Sequence, residues 1–332
     1  MKIPSPKPQP DYKVRRYLGI PVSRGAFLFS LSIQVLIVSC LLFVQVQSAE
    51  SQQALLAPIP PGTTAVTAQP LTIFITARGQ DGAPADLSNA DIGIKADGKP
   101  ANVIEVHRVV GIPMTYCLLI DTSSSQKGGR LRLEQDEATQ LVTQVVKAGR
   151  DRGTLVSFNE SAYVDAEGSN PREFVSAIEK EQAMGGTAMF QAIFGCASRM
   201  LKDAPDNNLR VMFILSDGED NLSRVNRDAA VTTVLKAGMR VYAIGQYGES
   251  RLGLKTLTLF AEATGGRTYF PSKQKDIGKA ITDIADELSS ILAVTFTVPG
   301  EMHDGRLHQL EAKCSKNGVS VTAPELYYAP QP

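Results

Sequence analysis

The sequence predicts an α/β protein: a doubly wound, mostly parallel sheet flanked by a small β-sandwich-like unit formed from N- and C-terminal strands. Three observations predict it. Between residues 112 and 292, short apolar runs alternate with stretches of helical period, the pattern of strand–helix–strand units. One run, "VMFIL", is apolar throughout, as a strand covered on both faces by helices should be. Strand-like segments without helices between them flank this region at 70–111 and 293–332, and each is too small for a stable core of its own.

The elements follow in order. "LTIFITARG" alternates like a half-buried strand, and "DIGIKADGKPANVIEVHRV" reads as two strands joined across Asp97-Gly98, a tight-turn pair. "TYCLLI" leads to a helix in which Ala138, Leu141, Val142, Val145 and Val146 share one face. "TLVSF" is a strand, "REFVSAIEK" a helix, and "GGTAMFQAIFGCASRML" a loop entering a helix. After "VMFIL" come "RDAAVTTVLKAG", a helix with a glycine stop, the strand "RVYAIG", and a second Gly-ended helix, "LKTLTLFAEATGG". Ile277, Ala280, Ile281, Ile284, Ala285 and Leu288 form the stripe of a last helix. "AVTFTV", "LHQLEAKC" and "GVSVTAP" then read as an antiparallel tail, expected to pack with 70–111 so that the α/β domain (112–292) is inserted between the two flanks.

The N-terminus has a different character. Lys2, Lys7, Lys13, Arg15, Arg16 and Arg24 stand against a single Asp11, and no charge occurs from Ala26 to Val46. That apolar run is roughly 20 residues, enough to span a bilayer. Basic residues before it place 1–25 in the cytoplasm and the body of the protein across the membrane. Residues 26–49 are then either a signal peptide cleaved near Ser48 or Ala49 or an uncleaved anchor; the length of the apolar run favours an anchor. Cys40 in "IVSC" resembles a lipoprotein cleavage site, but the apolar "LLFVQV" after it argues against that. Residues 50–69, rich in Pro, Gln, Ala and Thr, read as a linker. The protein is expected to face the periplasm or the outside, or to be secreted if the signal is cleaved.

Composition removes several functions. The chain of 332 residues has zero formal net charge, without the basic excess of a nucleic-acid binder. No P-loop occurs, so nucleotide use has no support. Outside the apolar segment three cysteines remain, Cys117, Cys196 and Cys314. They cannot all pair, and with Cys117 in a buried strand and Cys196 on a helix they read as small buried apolar side chains. No CxxC occurs, which argues against zinc.

Chemistry concentrates in three stretches. "LIDTSSSQ" ends an apolar strand in Asp121 and then offers Ser123 and Ser125. "GGTAM" supplies Thr187 just before a helix, and "ILSDGED" places Asp217 at the end of the central apolar strand. In doubly wound sheets ligands bind at the carboxyl ends of strands, where both aspartates belong. Five oxygen donors from three loops suit a hard divalent cation: Mg2+ first, with Mn2+ or Ca2+ as alternatives.

These residues resemble the metal-ion-dependent adhesion site (MIDAS) of von Willebrand factor type A domains, over roughly residues 112–292. The flanks "DLSNADIGIKADGKPANVIEV" and "HQLEAKCSKNGVSVTAPELYYAP" resemble a bacterial branch of that family first noted in Acidobacteria. The resemblance implies that Ser123, Ser125 and Thr187 contact the metal directly, that Asp121 and Asp217 bind it directly or through water, and that an Asp or Glu of a partner protein completes the coordination. Two carboxylates only neutralise a divalent ion, so the metal stays electrophilic toward an incoming acid.

An enzyme is the rival reading. A nucleophilic serine needs a base, usually histidine, yet no histidine falls between residues 108 and 302 and no GxSxG occurs. His107, His303 and His308 lie outside the α/β domain and read as surface or strand residues, and Glu219 and Asp220 as a solvated loop. The expectation is a non-enzymatic, metal-dependent protein-binding module. A metal-dependent hydrolase, with Glu219 as base, and a structural envelope domain without bound metal are the alternatives.

Overall fold

A computed structural model describes residues 16–17, 69–205, 208–245, 251–271 and 274–331. The predicted signal or anchor at 26–49 lies outside the described residues, as does nearly all of the linker. Among the described residues no helix is long and apolar enough to cross a membrane.

In chain order, the two-residue strand β1 (Arg16–Tyr17) comes first, followed by β2 (Leu71–Arg78), β3 (Ile92–Ala96) and β4 (Lys99–Arg108). β2 and β3 turn alternate residues inward: Ile73, Ile75 and Ala77 in one, Ile92, Ile94 and Ala96 in the other. Between β3 and β4, Asp97 (φ 46°) and Gly98 (φ 75°) both adopt the left-handed region. A two-residue hairpin turn whose twist matches its strands requires this.

The α/β region comprises β5 (Met114–Asp121), α1 (Arg130–Gln144), β6 (Arg152–Phe158), β7 (Ala162–Gly168), α2 (Pro171–Ile178), α3 (Met189–Asp203), β8 (Leu209–Leu215), α4 (Arg227–Lys236), β9 (Arg240–Ile244), α5 (Arg251–Ala263), β10 (Arg267–Tyr269) and α6 (Gln274–Ser289). Asn170 starts α2 by accepting the N–H of Arg172, with Pro171 next to it; Asn226 starts α4 by accepting the N–H of Ala229. The tail adds β11 (Ile291–Thr297), β12 (Leu307–Cys314), β13 (Ser320–Thr322) and β14 (Leu326–Tyr328).

Two sheets result. The first runs β1-β7-β6-β5-β8-β9-β10. Strands β6, β5, β8, β9 and β10 are parallel, while β7 and β1 add antiparallel pairings at one edge. Helices cover both faces. Cys117 and Leu119 of β5 join a core with α3, α4 and α5, while Tyr116, Leu118 and Ile120 join one with α1, α2 and α6. This period-two division explains why the central strands read as unbroken apolar runs.

The second sheet is antiparallel, ordered β13-β2-β11-β4-β3-β12-β14. It curls around its own core of Ile75, Ile94, Val294, Phe296, Leu310 and Tyr327, among others. Strand β11 serves both sheets' cores. Ile291 and Ala293 face the α1–α6 side of the first, and Leu292, Val294 and Phe296 face the second.

Three features depart from the sequence expectation. β1, β7, β10 and β14 were not foreseen: β1, β10 and β14 have two or three residues each, β7 turns only Ala162 and Val164 inward, and the pairing of β1 with β7 joins Arg16–Tyr17 to the α/β sheet, which does not fit their expected place across a membrane from it. Cys117 and Cys196 are joined in a disulfide, with Cα atoms 6.5 Å apart, which corrects their reading as separate buried thiols. Packing of α3 on β5 brings them within bonding reach, and only Cys314 is free among the described cysteines. Of the three histidines, His107 and His308 lie in β4 and β12 as a surface-or-strand reading allows, the His308 side chain being 10% exposed between Asp97 and Asp304. His303 is buried just past a short helical turn, outside any strand, which corrects that reading for it.

Candidate metal centre

The candidate residues meet where the strand order reverses. From β5 the chain moves outward to β6 and β7, then returns to β8 on the other side of β5. Such a reversal opens a crevice at the carboxyl ends of the two strands. Asp121 is the last residue of β5, and Asp217 lies just past the end of β8. Both are buried, as are Ser123 and Thr187, whereas Ser125 is exposed.

Hydrogen bonds order the first loop. The backbone N–H of Ser123 donates to Asp121 Oδ1 at 2.9 Å, and the Ser123 and Ser125 hydroxyls lie 2.9 Å apart. On the other side of Asp121, Ser216 donates its hydroxyl to Oδ2 at 2.7 Å and accepts the N–H of Gly218 at 3.0 Å. The Asp217 carboxylate accepts the N–H of Glu219 at 3.0 Å. Gln126 spans the loops: its Nε2 donates to Ser125 Oγ at 3.4 Å and to Asp217 Oδ2 at 3.3 Å. Asp121, Ser123, Ser125 and Asp217 thus belong to one hydrogen-bonded patch.

The loop that carries Thr187 is pinned beside the serine loop by backbone bonds, while none of the hydrogen bonds that join the patch involves the Thr187 hydroxyl. Met184 N–H donates to the Thr122 carbonyl and Ser124 N–H to the Gly185 carbonyl, pinning the glycine turn to the serine loop. Gly185 holds φ 71°, which a side chain would strain. On its other flank, Thr187 N–H donates to Asn221 Oδ1 at 2.9 Å, and its carbonyl accepts from the backbones of Asn221 and Leu222.

The Asp217 loop is itself fixed by close approach. Gly218 has φ 78°, and a Cβ there would collide with the carbonyl of Gly253 in the first turn of α5. Asp220 is not a solvated loop residue, as the sequence suggested. It accepts the N–H of Phe190 at 2.8 Å and the hydroxyl of Ser223, whose oxygen accepts from Gln191 N–H. It therefore helps hold the first turn of α3, while Glu219 stays exposed.

Burial is the largest influence on Asp121 and raises its pKa. Hydrogen bonds with Ser123 and Ser216 oppose the rise, the charge of Asp217 adds to it, and the net position is about 7. Two carboxylates held close enough to repel are a cation's natural environment. The donor chemistry also fits a hard ion: the patch supplies two carboxylates and neutral hydroxyl oxygens. Gln126, fully buried, leaves its Oε1 without a hydrogen-bond partner. Among the described residues, no group of three or more His, Cys, Asp or Glu side chains gathers as a metal cluster. This patch therefore depends on hydroxyls for the rest of its donors.

Sequence reading missed Ser216, Gln126 and Asn221. Each neighbours a motif residue and reads as a spacer or loop polar group. The available signal was position alone, since a polar residue beside a strand-end carboxylate becomes buried with it.

Compared with known families, residues 117–287 match the model described as the von Willebrand factor type A domain. None of the curated proteins matches. Several solved structures are similar. A von Willebrand factor type A protein from Catenulispora acidiphila is 14% identical, with 80% of this chain and 74% of that one covered and a TM-score of 0.47. Proximal thread matrix protein 1 of the mussel byssus, in a form with a zinc-occupied MIDAS motif, is 17% identical over 57% of this chain, with a TM-score of 0.46. This chain spans about half of that mussel protein, 49% of its length. BatB from Bacteroides thetaiotaomicron is 17% identical, with 52% of this chain and 98% of that one covered and a TM-score of 0.43.

Proposed function

The chain belongs to the von Willebrand factor type A domain family, and from that premise we propose that it is an exported, non-enzymatic protein-interaction module that binds an acidic group of a partner through a divalent cation. Asp121, Ser123, Ser125, Thr187 and Asp217 would hold the cation, magnesium first among the candidates. One observation carries the reading: Asp121 and Asp217, far apart in the chain, are both buried at the ends of the neighbouring strands β5 and β8, in one hydrogen-bonded patch with the Ser123 and Ser125 hydroxyls.

The bound ion would supply an electrophilic position for an incoming carboxylate. This chain's residues do the rest. Ser216 and the Ser123 backbone orient Asp121, Asn221 holds the Thr187 loop, and the Gly218–Gly253 contact fixes the Asp217 loop. Next to these loops, Met184 is 56% and Leu222 47% exposed, apolar contact area for a partner that brings its acid to the site. The flanking strands favour the bacterial branch named above. The uncharged run at 26–46 and the Cys117–Cys196 disulfide favour export, because disulfides persist in oxidising compartments.

Thermal melting of the full chain tests the proposal. Added Mg2+ or Mn2+ is expected to raise the melting temperature, EDTA to reverse the rise, and Asp121→Ala to abolish it while leaving the far-UV spectrum native. Equal shifts in wild type and variant would sink the reading.

A further inference from the structure

Gln126 stands out because its chemistry is unexplained by packing. Its side chain is wholly buried at the entrance to α1, a place an apolar residue could fill. Instead the chain buries a carboxamide whose Oε1 finds no partner, a cost that an apolar side chain would not carry. Its Nε2 points at two oxygens from separate loops, Ser125 Oγ at 3.4 Å and Asp217 Oδ2 at 3.3 Å. Both are among the five oxygens assigned to the cation. The partly positive N–H2 group thus links a carboxylate on the β8 side to a hydroxyl on the β5 side.

Resting on the metal-binding reading above, we infer that Gln126 is a displaceable stand-in for the cation. In the metal-free protein its N–H2 bridges Ser125 and Asp217, offsets part of the charge on Asp217, and holds the two loops together. An entering ion competes for the same oxygens, and the amide gives up its bridge. The two hydrogen bonds are long, so the competition is modest. Gln126 therefore maintains a formed site without closing it, and lowers ion affinity in proportion to the bridge it must release.

Replacement by methionine removes the donors and keeps nearly the same volume. Titration calorimetry of the full chain with Mn2+ should find Gln126→Met binding more tightly than wild type, on the order of threefold to tenfold. A residue that merely shaped the loop would weaken binding when replaced, so unchanged or weaker affinity in a folded Gln126→Met protein overturns the inference and leaves the metal site standing. Absence of Mn2+ binding by wild type overturns both.

Wild type alone gives a second test should the variant not fold. On addition of diamagnetic Mg2+, the Gln126 side-chain 15N–1H2 resonances, assigned by selective labelling, should shift and lose protection from solvent exchange. Resonances that stay in place while Mg2+ raises the melting temperature would count against displacement.

Discussion

Ser216 donates its hydroxyl to Asp121 Oδ2 at 2.7 Å, one strand to its neighbour, and so ties the ends of β8 and β5 together. The Ser216 hydroxyl oxygen in turn accepts from Gly218 N–H. Ser216→Ala leaves a buried carboxylate oxygen and a backbone N–H without this partner, which should cost about 1–3 kcal/mol. It also frees the Asp121 carboxylate to rotate. Urea unfolding should show the loss of stability, and Mn2+ titration a weaker site. Wild-type values in both would mean the bond contributes nothing.

The Cys117–Cys196 bridge links a central strand to a helix across 79 residues of sequence. A loop of that length should contribute about 4.5 kcal/mol through the unfolded chain's entropy. The Cys117→Ala/Cys196→Ala protein is expected to lose stability of that order in guanidinium unfolding. Alkylation of the denatured wild type before and after reduction should reveal two additional thiols.

His308 sits between two acids, its Nδ1 2.8 Å from Asp97 and its Nε2 3.0 Å from Asp304. Only the doubly protonated ring can donate to both. Burial lowers the His308 pKa, but the hydrogen bonds to Asp97 and Asp304 outweigh it and the net shift is upward. Hydrogen bonds with His308 and the Gln309 backbone lower the pKa of Asp97. For Asp304, burial works the other way and is outweighed by its bonds to His308 and the Arg306 backbone. The raised histidine contributes stability that is full below about pH 6.5 and is lost as pH rises through its folded pKa. The lowered carboxylates contribute stability that is lost as pH falls through theirs. Melting temperature against pH should therefore decline on both sides, and His308→Gln should flatten the alkaline decline.

Glu137 is buried on α1 with Oε2 unpartnered. Burial, then the charge of Asp136, pushes its pKa up to about 8. Its neutral form is therefore the folded one, and stability drains away as pH rises from the unfolded value toward 8. Glu137→Gln has no such charge to suppress. Its advantage over wild type in urea unfolding should widen from about pH 4.5 to about pH 8 and then hold, at a few kcal/mol. Parallel stability curves for the two proteins would refute the assignment.

Physical position explains what the sequence made legible. β8 announces itself because helices cover both its faces, so Val211 to Leu215 are all apolar. The Asp97-Gly98 turn is visible because two positive φ values restrict the residues that can form it. β7 stayed hidden: in "AYVDAEG" only Ala162 and Val164 are buried, so its pattern resembles a loop. The disulfide could not be read because its cysteines meet only once α3 lies on β5. Asp121 and Asp217 were findable as carboxylates ending apolar strands. Ser216, Asn221 and Gln126 were not, since their partners come from loops remote in sequence.

The strict alternation along β11 has a consequence for how this molecule can change. Its odd-numbered residues Ile291 and Ala293 and its even-numbered neighbours Leu292 and Val294 report to different interiors. A one-residue gain or loss after α6 would exchange the two sets and misdirect both at once. A change of length is therefore expected to be borne in the exposed turns but not at this junction, and a chimaera that grafts the helical layer onto a foreign sheet must carry β11 with it.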